Sequence, residues 1–243
     1  MSMADKLTQI AENEKKVYEA GKKSEYDRFW DTFQLKGKRI DYQYAFGSVG
    51  WNDETFKPKY DIILGGGVTG TYTFWCCGVS NLKEALDKRG VKLDTSKCKY
   101  MHSFLRGARC VEVPTIDLSQ CSNSTGAASC FSSTYLVTIE KIVFSKNTNI
   151  SPTMFQNATS LQNVVCEGVI AKSIDFGSCP LTKASITSAF NAFSATIMNQ
   201  AATFKKDAVN VAFETSEGAA DGSTSAEWLN LIATKPNWTI SLV

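Results

Sequence analysis

The sequence predicts an α+β fold in which a short, irregular β-solenoid is capped by helices and preceded by a long N-terminal helix, a candidate coiled coil. Three patterns predict it: a proline-free helical stretch at the start, an imperfect repeat in the middle, and helix and strand patterns near the end. The chain has 243 residues, of which 43% are hydrophobic and 21% are charged. A chain of this size can bury a core without depending on metals or disulfides.

Residues 1–34 are predicted to form a separate helical arm. Residues 4–33 contain no proline, and apolar side chains recur there at helical steps. The apolar seam weakens after its first half, so a coiled coil and a helix packed on its own domain both remain open. An aromatic cluster ends the arm and should dock on an apolar surface, such as that of a second copy of the chain. The residues expected to carry attachment or oligomerisation are Leu7, Ile10, Val17, Phe29, Trp30 and Phe33.

Residues 35–60 are expected to form an irregular connector, because they are rich in Gly, Asp, Asn and aromatic residues and include Pro58. Residues 61–243 then form the repeat-built, β-rich body. Its first predicted helix covers residues 81–90, with Ser80 or Asn81 as the N-cap and Gly90 just beyond the end.

An imperfect internal repeat occupies the middle of the body. Phe104, Phe131 and Phe155 each open a segment that ends in two aliphatic residues, and Phe74 opens a looser, earlier copy. These phenylalanines follow one another at intervals of 30, 27 and 24 residues. Such intervals are typical of one turn of a solenoid.

A second signature runs in step with the phenylalanines. It is a hexapeptide that begins with an aliphatic residue and ends in Cys or Asn, and it predicts a short strand followed by a turn whose last side chain fills the interior. The acidic members of the hexapeptides are expected to face outward or to cap turns, not to act as catalysts. These acidic residues are Asp94, Asp117 and Asp175, and the predicted structural ladder is Cys98, Cys121, Asn147 and Cys179.

The segment from Met154 to Val164, MFQNATSLQNV, resembles the Ala-Phe-x-x-Cys-x-x-Leu-x-x-Val core of BspA-like leucine-rich repeats, a bacterial surface and phage-associated family. The layout, a helical segment of the Ala-Asp-Lys-Leu type before such repeats, also resembles gut-phage proteins. The resemblance covers about residues 74–179 and the N-terminal arm. It implies a leucine-rich-repeat-like solenoid. This sequence departs from the family in having few, irregular units and Asn157 where cysteine is usual.

Helices and a strand are predicted to cap the end of the repeats. A helix is expected from Thr182 to about Asn199, and residues 209–213 alternate in the manner of a strand. Thr224 and Glu227 form the pattern of a capping box before a further helix. The last five residues before Val243 alternate between apolar and polar side chains, which predicts a final strand.

No catalytic, cofactor-binding or metal site is predicted. His102 is the single histidine, so a nucleophilic triad would depend on one residue inside a repeat. The glycine-rich residues 65–71 lack the Lys-Ser/Thr pair of a phosphate loop. The eight cysteines include no Cys-x-x-Cys pair, and we expect buried free thiols in preference to disulfides or zinc ligands.

Charge and hydropathy exclude two classes of partner at this level. The formal charge of +2 is too small for the basic field that nucleic-acid binding usually needs. No stretch has the length and apolarity of a membrane span or of a classical signal peptide. We therefore expect a protein made in the cytoplasm, with no nucleic acid as partner and no membrane insertion.

Together with the resemblance, these features lead to a non-enzymatic component of a phage virion, of tail, fibre or baseplate type, or of a cell surface. The N-terminal helix would attach to other virion or surface proteins or form a homo-oligomer, with a trimer favoured. The body would bind a host glycan or protein through polar loops such as residues 120–135. Two alternatives remain, a purely architectural virion subunit and a carbohydrate-active enzyme whose carboxylate pair the spacing does not identify.

Overall fold

The computed structural model describes residues 30, 45–47, 50–65, 70–213 and 225–243. Helices and strands are mixed in an α+β fold, and no sheet within these ranges closes into a barrel. The elements in chain order are β1 (Ile62–Gly65), α1 (Leu82–Asp87), β2 (Leu93–Lys97), β3 (Glu112–Val113), β4 (Ile116–Asp117), β5 (Thr138–Phe144), β6 (Asn163–Gly168), β7 (Ile174–Phe176), α2 (Lys183–Ala192), β8 (Gln200–Phe204), α3 (Lys206–Ala212), α4 (Ala226–Ala233) and β9 (Trp238–Leu242).

The described strands pair in parallel. β1 pairs with β2, β5 pairs with β3, β4 and β6, and β8 lies between β7 and β9. In the central sheet Ile116 lies beside Ile142, and Ile142 lies beside Cys166. Because each strand meets the equivalent strand of the next segment in the same direction, equivalent side chains form rows across the sheet.

A second ladder of backbone hydrogen bonds joins four turn segments, residues 70–76, 101–107, 126–133 and 151–157. Amides at every second position donate to carbonyls of the following segment. The donors of the first segment are Gly70, Tyr72, Phe74 and Cys76, and their acceptors are Tyr100, His102, Phe104 and Arg106. Residues 101–107 continue the ladder to residues 126–132 in the same way. These irregular segments are therefore held in parallel register although none of them is a strand.

The core is centred on a phenylalanine column, defined by Phe46, Phe74, Phe104, Phe131, Phe155, Phe176 and Phe204. All of these rings are buried. Five neighbouring pairs have ring centroids 4.8 to 5.6 Å apart. Burial of each ring stabilises the fold by roughly 1.5–3 kcal/mol, and ring pairing adds to this.

Several predictions are confirmed. The repeat phenylalanines are buried, and the short helix forms as α1, with the Asn81 side chain accepting a hydrogen bond from the Glu84 amide. The final strand forms as β9, with Trp238 buried. The second segment is shifted by one residue relative to the predicted repeat. In the first and third segments the amides of Phe74 and Phe131 donate to the following segment, whereas in the second segment the donor at this position is Leu105 and not Phe104.

The predicted strand at residues 209–213 is wrong, because this stretch belongs to α3 and its C-cap. Val209 and Phe213 are buried, whereas Val211 is 82% exposed. Apolar residues at positions 209, 211 and 213 would share one face of a strand. Positions 209 and 213 would also share one face of a helix, because they are four residues apart. Asp207 in the first turn favours the helix.

The helix predicted to run to about Asn199 ends at Ala192. Phe193 is extended and forms a parallel bridge with Ile170. The Ile170 amide donates to Ala192, and the Ser194 amide donates to Ile170. This pairing takes the chain out of the helix, and a local helical pattern contains no information about it.

The start of α4 also differs from the predicted capping box. Ser225 is the N-cap, and its hydroxyl accepts a hydrogen bond from the Trp228 amide. Thr224, the predicted cap, lies outside the described residues. Glu227 pairs with Lys183 of α2 instead of serving a capping box.

The predicted arm lies outside the described residues except for Trp30, and so do Leu7, Ile10, Val17, Phe29 and Phe33. Trp30 is buried within the chain and contacts the rings of Phe46, Trp51 and Phe56. Its indole N–H donates to the Thr55 carbonyl. Trp30 is therefore a core residue of its own chain, which corrects its assignment to an oligomer surface. The described part of the expected connector belongs to the same core.

Candidate functional site

The predicted cysteine ladder is a set of packing residues. Cys98, Cys121 and Cys179 are buried. Each closes the same turn, in which the cysteine amide donates to the carbonyl three residues earlier. These acceptor carbonyls belong to Thr95, Leu118 and Phe176. The side chains thus fill the interior at the point where the chain leaves a strand.

Asn147 does not belong to this ladder, because its side chain is exposed. Thr148, buried and one residue later, takes its place. The Thr148 amide donates to the carbonyl three residues earlier, that of Ser145, and its hydroxyl donates to Leu118 at 3.1 Å. The variant segment is therefore one residue longer than the other hexapeptides. The prediction of Asn147 assumed equal lengths and was wrong for this reason.

Burial favours the neutral form of the seven buried thiols. Burial raises the pKa of Cys77, Cys166 and Cys179 to about 12. The pKa of Cys98 is also raised, and its main cause is again burial. A thiol in this state is a weak nucleophile and a weak metal ligand, since both roles need the thiolate. Cys76 is the one cysteine that is partly exposed.

The three predicted acidic residues cap turns, as expected. The carboxylates of Asp94, Asp117 and Asp175 each accept a hydrogen bond from the amide two residues later, at 2.7 to 2.9 Å. Their place in the turn explains their recurrence in the hexapeptides.

The arrangement that best fits a ligand is a groove on the turn segments. It has a volume of about 520 Å³ and is lined by Tyr72, Trp75, Cys76, Arg106, Gly107 and Ser133. The lining residues come from three successive turn segments, which the backbone ladder holds side by side. We call this concavity the turn groove.

A repeated backbone conformation shapes the turn groove. Cys76, Gly107, Ser133 and Asn157 occupy equivalent positions in the four turn segments, and all have φ between 52° and 67°. Non-glycine residues rarely adopt this region. Here each such residue donates its amide to the next segment, which offsets the local cost. The conformation turns the chain sharply. The residue before it is exposed in three of the segments, as Trp75, Arg106 and Gln156, and in the third segment Ser133 itself is exposed.

Aromatic side chains form one wall of the turn groove. Trp75 is 39% exposed, and its ring lies 6.1 Å from that of Tyr72 in an edge-on arrangement. Tyr72 also contacts His102, with ring centroids 5.4 Å apart. His102 therefore packs beside the wall. Arg106 is exposed and makes no ion pair with any described residue.

Two other concavities fit a ligand less well. One, beside α1, is lined by Asp53, Glu84 and Lys88, among others. Three of its charged residues already have partners, because Asp53 accepts from Ser80 and Glu84 pairs with Lys88, and Phe56, its one aromatic residue, is buried. The other lies between the starts of α2 and α3, where its lining mixes aliphatic residues with Lys183, Lys205 and Asp207 and carries no aromatic side chain.

The sequence identified one segment of the turn groove. Ser133 belongs to the loop of residues 120–135 that was expected to bind, whereas Trp75 and Arg106 were missed. A signal for them existed: the exposed groove residues lie within two positions of the repeat phenylalanines. The exposure of these side chains depends on the positive φ values of the turn segments. The residue type does not predict a positive φ at Cys76, Ser133 or Asn157, since non-glycine residues rarely adopt it.

The described part of the chain contains no helix long and apolar enough to cross a membrane. It also contains no group of three or more His, Cys, Asp or Glu side chains placed to hold a metal ion. Comparison of the chain with protein families, with curated proteins and with solved structures gave no match.

Proposed function

We propose that the chain is a non-enzymatic binding module of a virion or cell surface, built as a short solenoid, and that it binds a glycan in the turn groove. The observation that carries the proposal is the wall formed by the exposed Trp75 and the half-buried Tyr72 beside the exposed Arg106. The virion or surface setting rests on the resemblance of the repeats and the N-terminal segment described above.

Three features support the solenoid. The strands pair in parallel, the rings of the phenylalanine column are in contact from Phe46 to Phe104 and from Phe131 to Phe204, and the turn segments have their own hydrogen-bond ladder. Polar side chains also bridge neighbouring segments at similar intervals. Thr95 and Asp117 are 22 residues apart, and Ser145 and Ser119 are 26 residues apart. Stacked units of 20–45 residues are what a solenoid consists of.

The chemistry of the turn groove supports a glycan. Sugar rings have apolar faces that pack on aromatic rings and hydroxyl groups that need polar partners at the edge. Trp75 and Tyr72 provide large rigid surfaces at low conformational cost. Arg106 and Ser133 supply donors beside them. Binding sites typically combine such an apolar wall with a few polar groups.

Binding of the full chain to a glycan array tests this function. Trp75→Ala should weaken binding by about tenfold or more, as expected for the loss of an aromatic contact at the centre of a site. Tyr60→Ala is the matched control, because Tyr60 is 41% exposed and lies outside the groove. Equal binding by wild type and Trp75→Ala, or no binding of any glycan, would contradict the proposal.

The attachment role of the N-terminal arm is part of the same proposal. Since Trp30 belongs to the core, the informative deletion removes residues 1–28 and keeps Trp30. The shortened chain should remain folded and should have a lower oligomer mass in light scattering. An unchanged mass together with an intact fold would exclude the arm as the oligomerising element.

A further inference from the structure

We infer that the ligand of the turn groove is a linear acidic polysaccharide that runs along the stacked turn segments, with a carboxylate at Arg106. This inference rests on the proposed function, because it names the ligand class for the same site. It adds the direction of the ligand, its charge and the length of chain that it engages.

The direction follows from the register of the turn segments. The Cys76 amide donates to Arg106, the Gly107 amide to Ser132, and the Ser133 amide to Gln156. These bonds align the four positive-φ residues, Cys76, Gly107, Ser133 and Asn157, across the segments. Each segment therefore places an exposed side chain at or next to its positive-φ position, along the direction of stacking.

Each segment has an exposed side chain at this turn. Trp75, Arg106 and Gln156 directly precede the positive-φ position of their segments, whereas in the third segment Ser132 is buried and Ser133, at the positive-φ position, is exposed. We call these four exposed residues the groove row. Chains joined by backbone hydrogen bonds lie about 4.8 Å apart, so the groove row spans about 15 Å. One step is comparable with the length of one sugar residue in an extended polysaccharide. A linear polymer can thus place successive residues on successive members of the row.

The charge follows from Arg106. Its guanidinium is exposed, makes no ion pair within the described chain, and is the one charged side chain among the residues that line the groove. A guanidinium binds a carboxylate through two parallel hydrogen bonds, which a neutral sugar cannot reproduce. Trp75, one step away, offers its ring to the neighbouring sugar.

The polar end of the groove row sets the expected ligand length. Ser133 is a donor and acceptor, and the Gln156 amide offers both functions in one side chain. Asn157 is exposed beside it and follows the same backbone pattern. Affinity should therefore rise with oligosaccharide length up to about four sugar residues, one for each member of the row, and then level off.

The test measures binding of the full chain by calorimetry to uronic-acid oligosaccharides of two to eight residues, and to the same oligosaccharides with their carboxylates reduced to alcohols. Arg106→Gln should weaken binding of the acidic series by about tenfold and leave the reduced series within about twofold. Arg109→Gln is the matched control, because Arg109 is also exposed and does not line the groove. It should leave both series unchanged.

The outcomes separate this inference from the proposed function. If Trp75→Ala abolishes glycan binding but Arg106→Gln has no effect on acidic ligands, the acidic polysaccharide is excluded and the glycan site stands. If single-stranded DNA binds in place of every oligosaccharide, both proposals are overturned. A Gln156→Ala variant checks the direction: it should weaken binding of oligosaccharides of four or more residues and leave shorter ones unaffected. Equal loss at every length would overturn the linear arrangement.

Discussion

The ring of Phe155 stacks on the ring of Phe176, with centroids 4.8 Å apart and an angle of 29° between the planes. On its other side Phe155 stacks on Phe131 at 5.4 Å. Phe155 thus joins the segment that precedes it to the one that follows. Its position accounts for the recurrence of an aromatic residue at this point of the repeat, since a ring packs favourably on the rings of both neighbouring segments.

Phe155→Ala should lower the free energy of unfolding by about 3–5 kcal/mol, the usual cost of truncating a buried aromatic ring. The measurement is urea denaturation monitored by circular dichroism. Tyr135→Ala is the control, because Tyr135 is 63% exposed, and it should change stability by less than about 0.5 kcal/mol. Similar effects for the two variants would argue against stabilisation by the stacked rings around Phe155.

Thr148→Val should cost about 1–3 kcal/mol although it keeps the shape of the side chain. The Thr148 hydroxyl donates to the Leu118 carbonyl and accepts from the Ser145 amide, and the buried valine would leave both groups without that partner. Asn147→Ala should be nearly neutral, since Asn147 is exposed. Thermal denaturation of both variants is the measurement, and a larger loss for Asn147→Ala would restore Asn147 to the ladder.

Gly168→Ala should destabilise the chain by about 2–4 kcal/mol. Gly168 has a φ of 84°, and an added Cβ would collide with the Phe144 carbonyl oxygen. Gly90→Ala separates the cost of the positive φ from the cost of the collision. Gly90 also has a positive φ, of 62°, but no atom lies within 4 Å of the added Cβ. It should cost only about 1 kcal/mol, from the backbone conformation. Equal losses in chemical denaturation would show that the collision at Gly168 is relieved by local movement.

Native protein should react with iodoacetamide at Cys76 first, and the other seven cysteines should react only after denaturation. Seven of the eight thiols are buried, and where the pKa of a buried thiol is raised its reactive thiolate is scarce. Mass spectrometry of peptides from native and denatured samples identifies the labelled sites. Rapid native labelling at Cys121 or Cys179 would contradict their role as interior packing residues.

The same thiols should make the fold less stable in alkali. In the unfolded chain a thiol ionises near pH 8.5, whereas Cys179 in the folded chain has a pKa of about 12. Its contribution to stability is therefore complete below about pH 8.5 and decreases as the pH rises towards 12. Cys179→Ala should reduce the slope of stability against pH in this range, and an unchanged slope would exclude the contribution of this thiol.

Several elements were predictable because their signals are local. The α1 helix was predicted from Asn81 and its apolar positions, and the turn caps were predicted from the recurrence of Asp94, Asp117 and Asp175. Residues 209–213 show where local signals fail. Alternating and i, i+4 patterns coincide there, and only packing of Val209 and Phe213 into the core selects the helix.

The sequence by itself determined that large rings recur at intervals of 24 to 30 residues and that the cysteines of the hexapeptides are interior residues. The tertiary structure decided that Thr148 replaces Asn147 inside, that Trp30 belongs to the core, and that the chain turns out of α2 at Phe193. It also brought Trp75, Arg106 and Ser133 into one groove. The physical reason is that burial preference and capping depend on a residue and its near neighbours, whereas register depends on backbone hydrogen bonds between segments more than twenty residues apart.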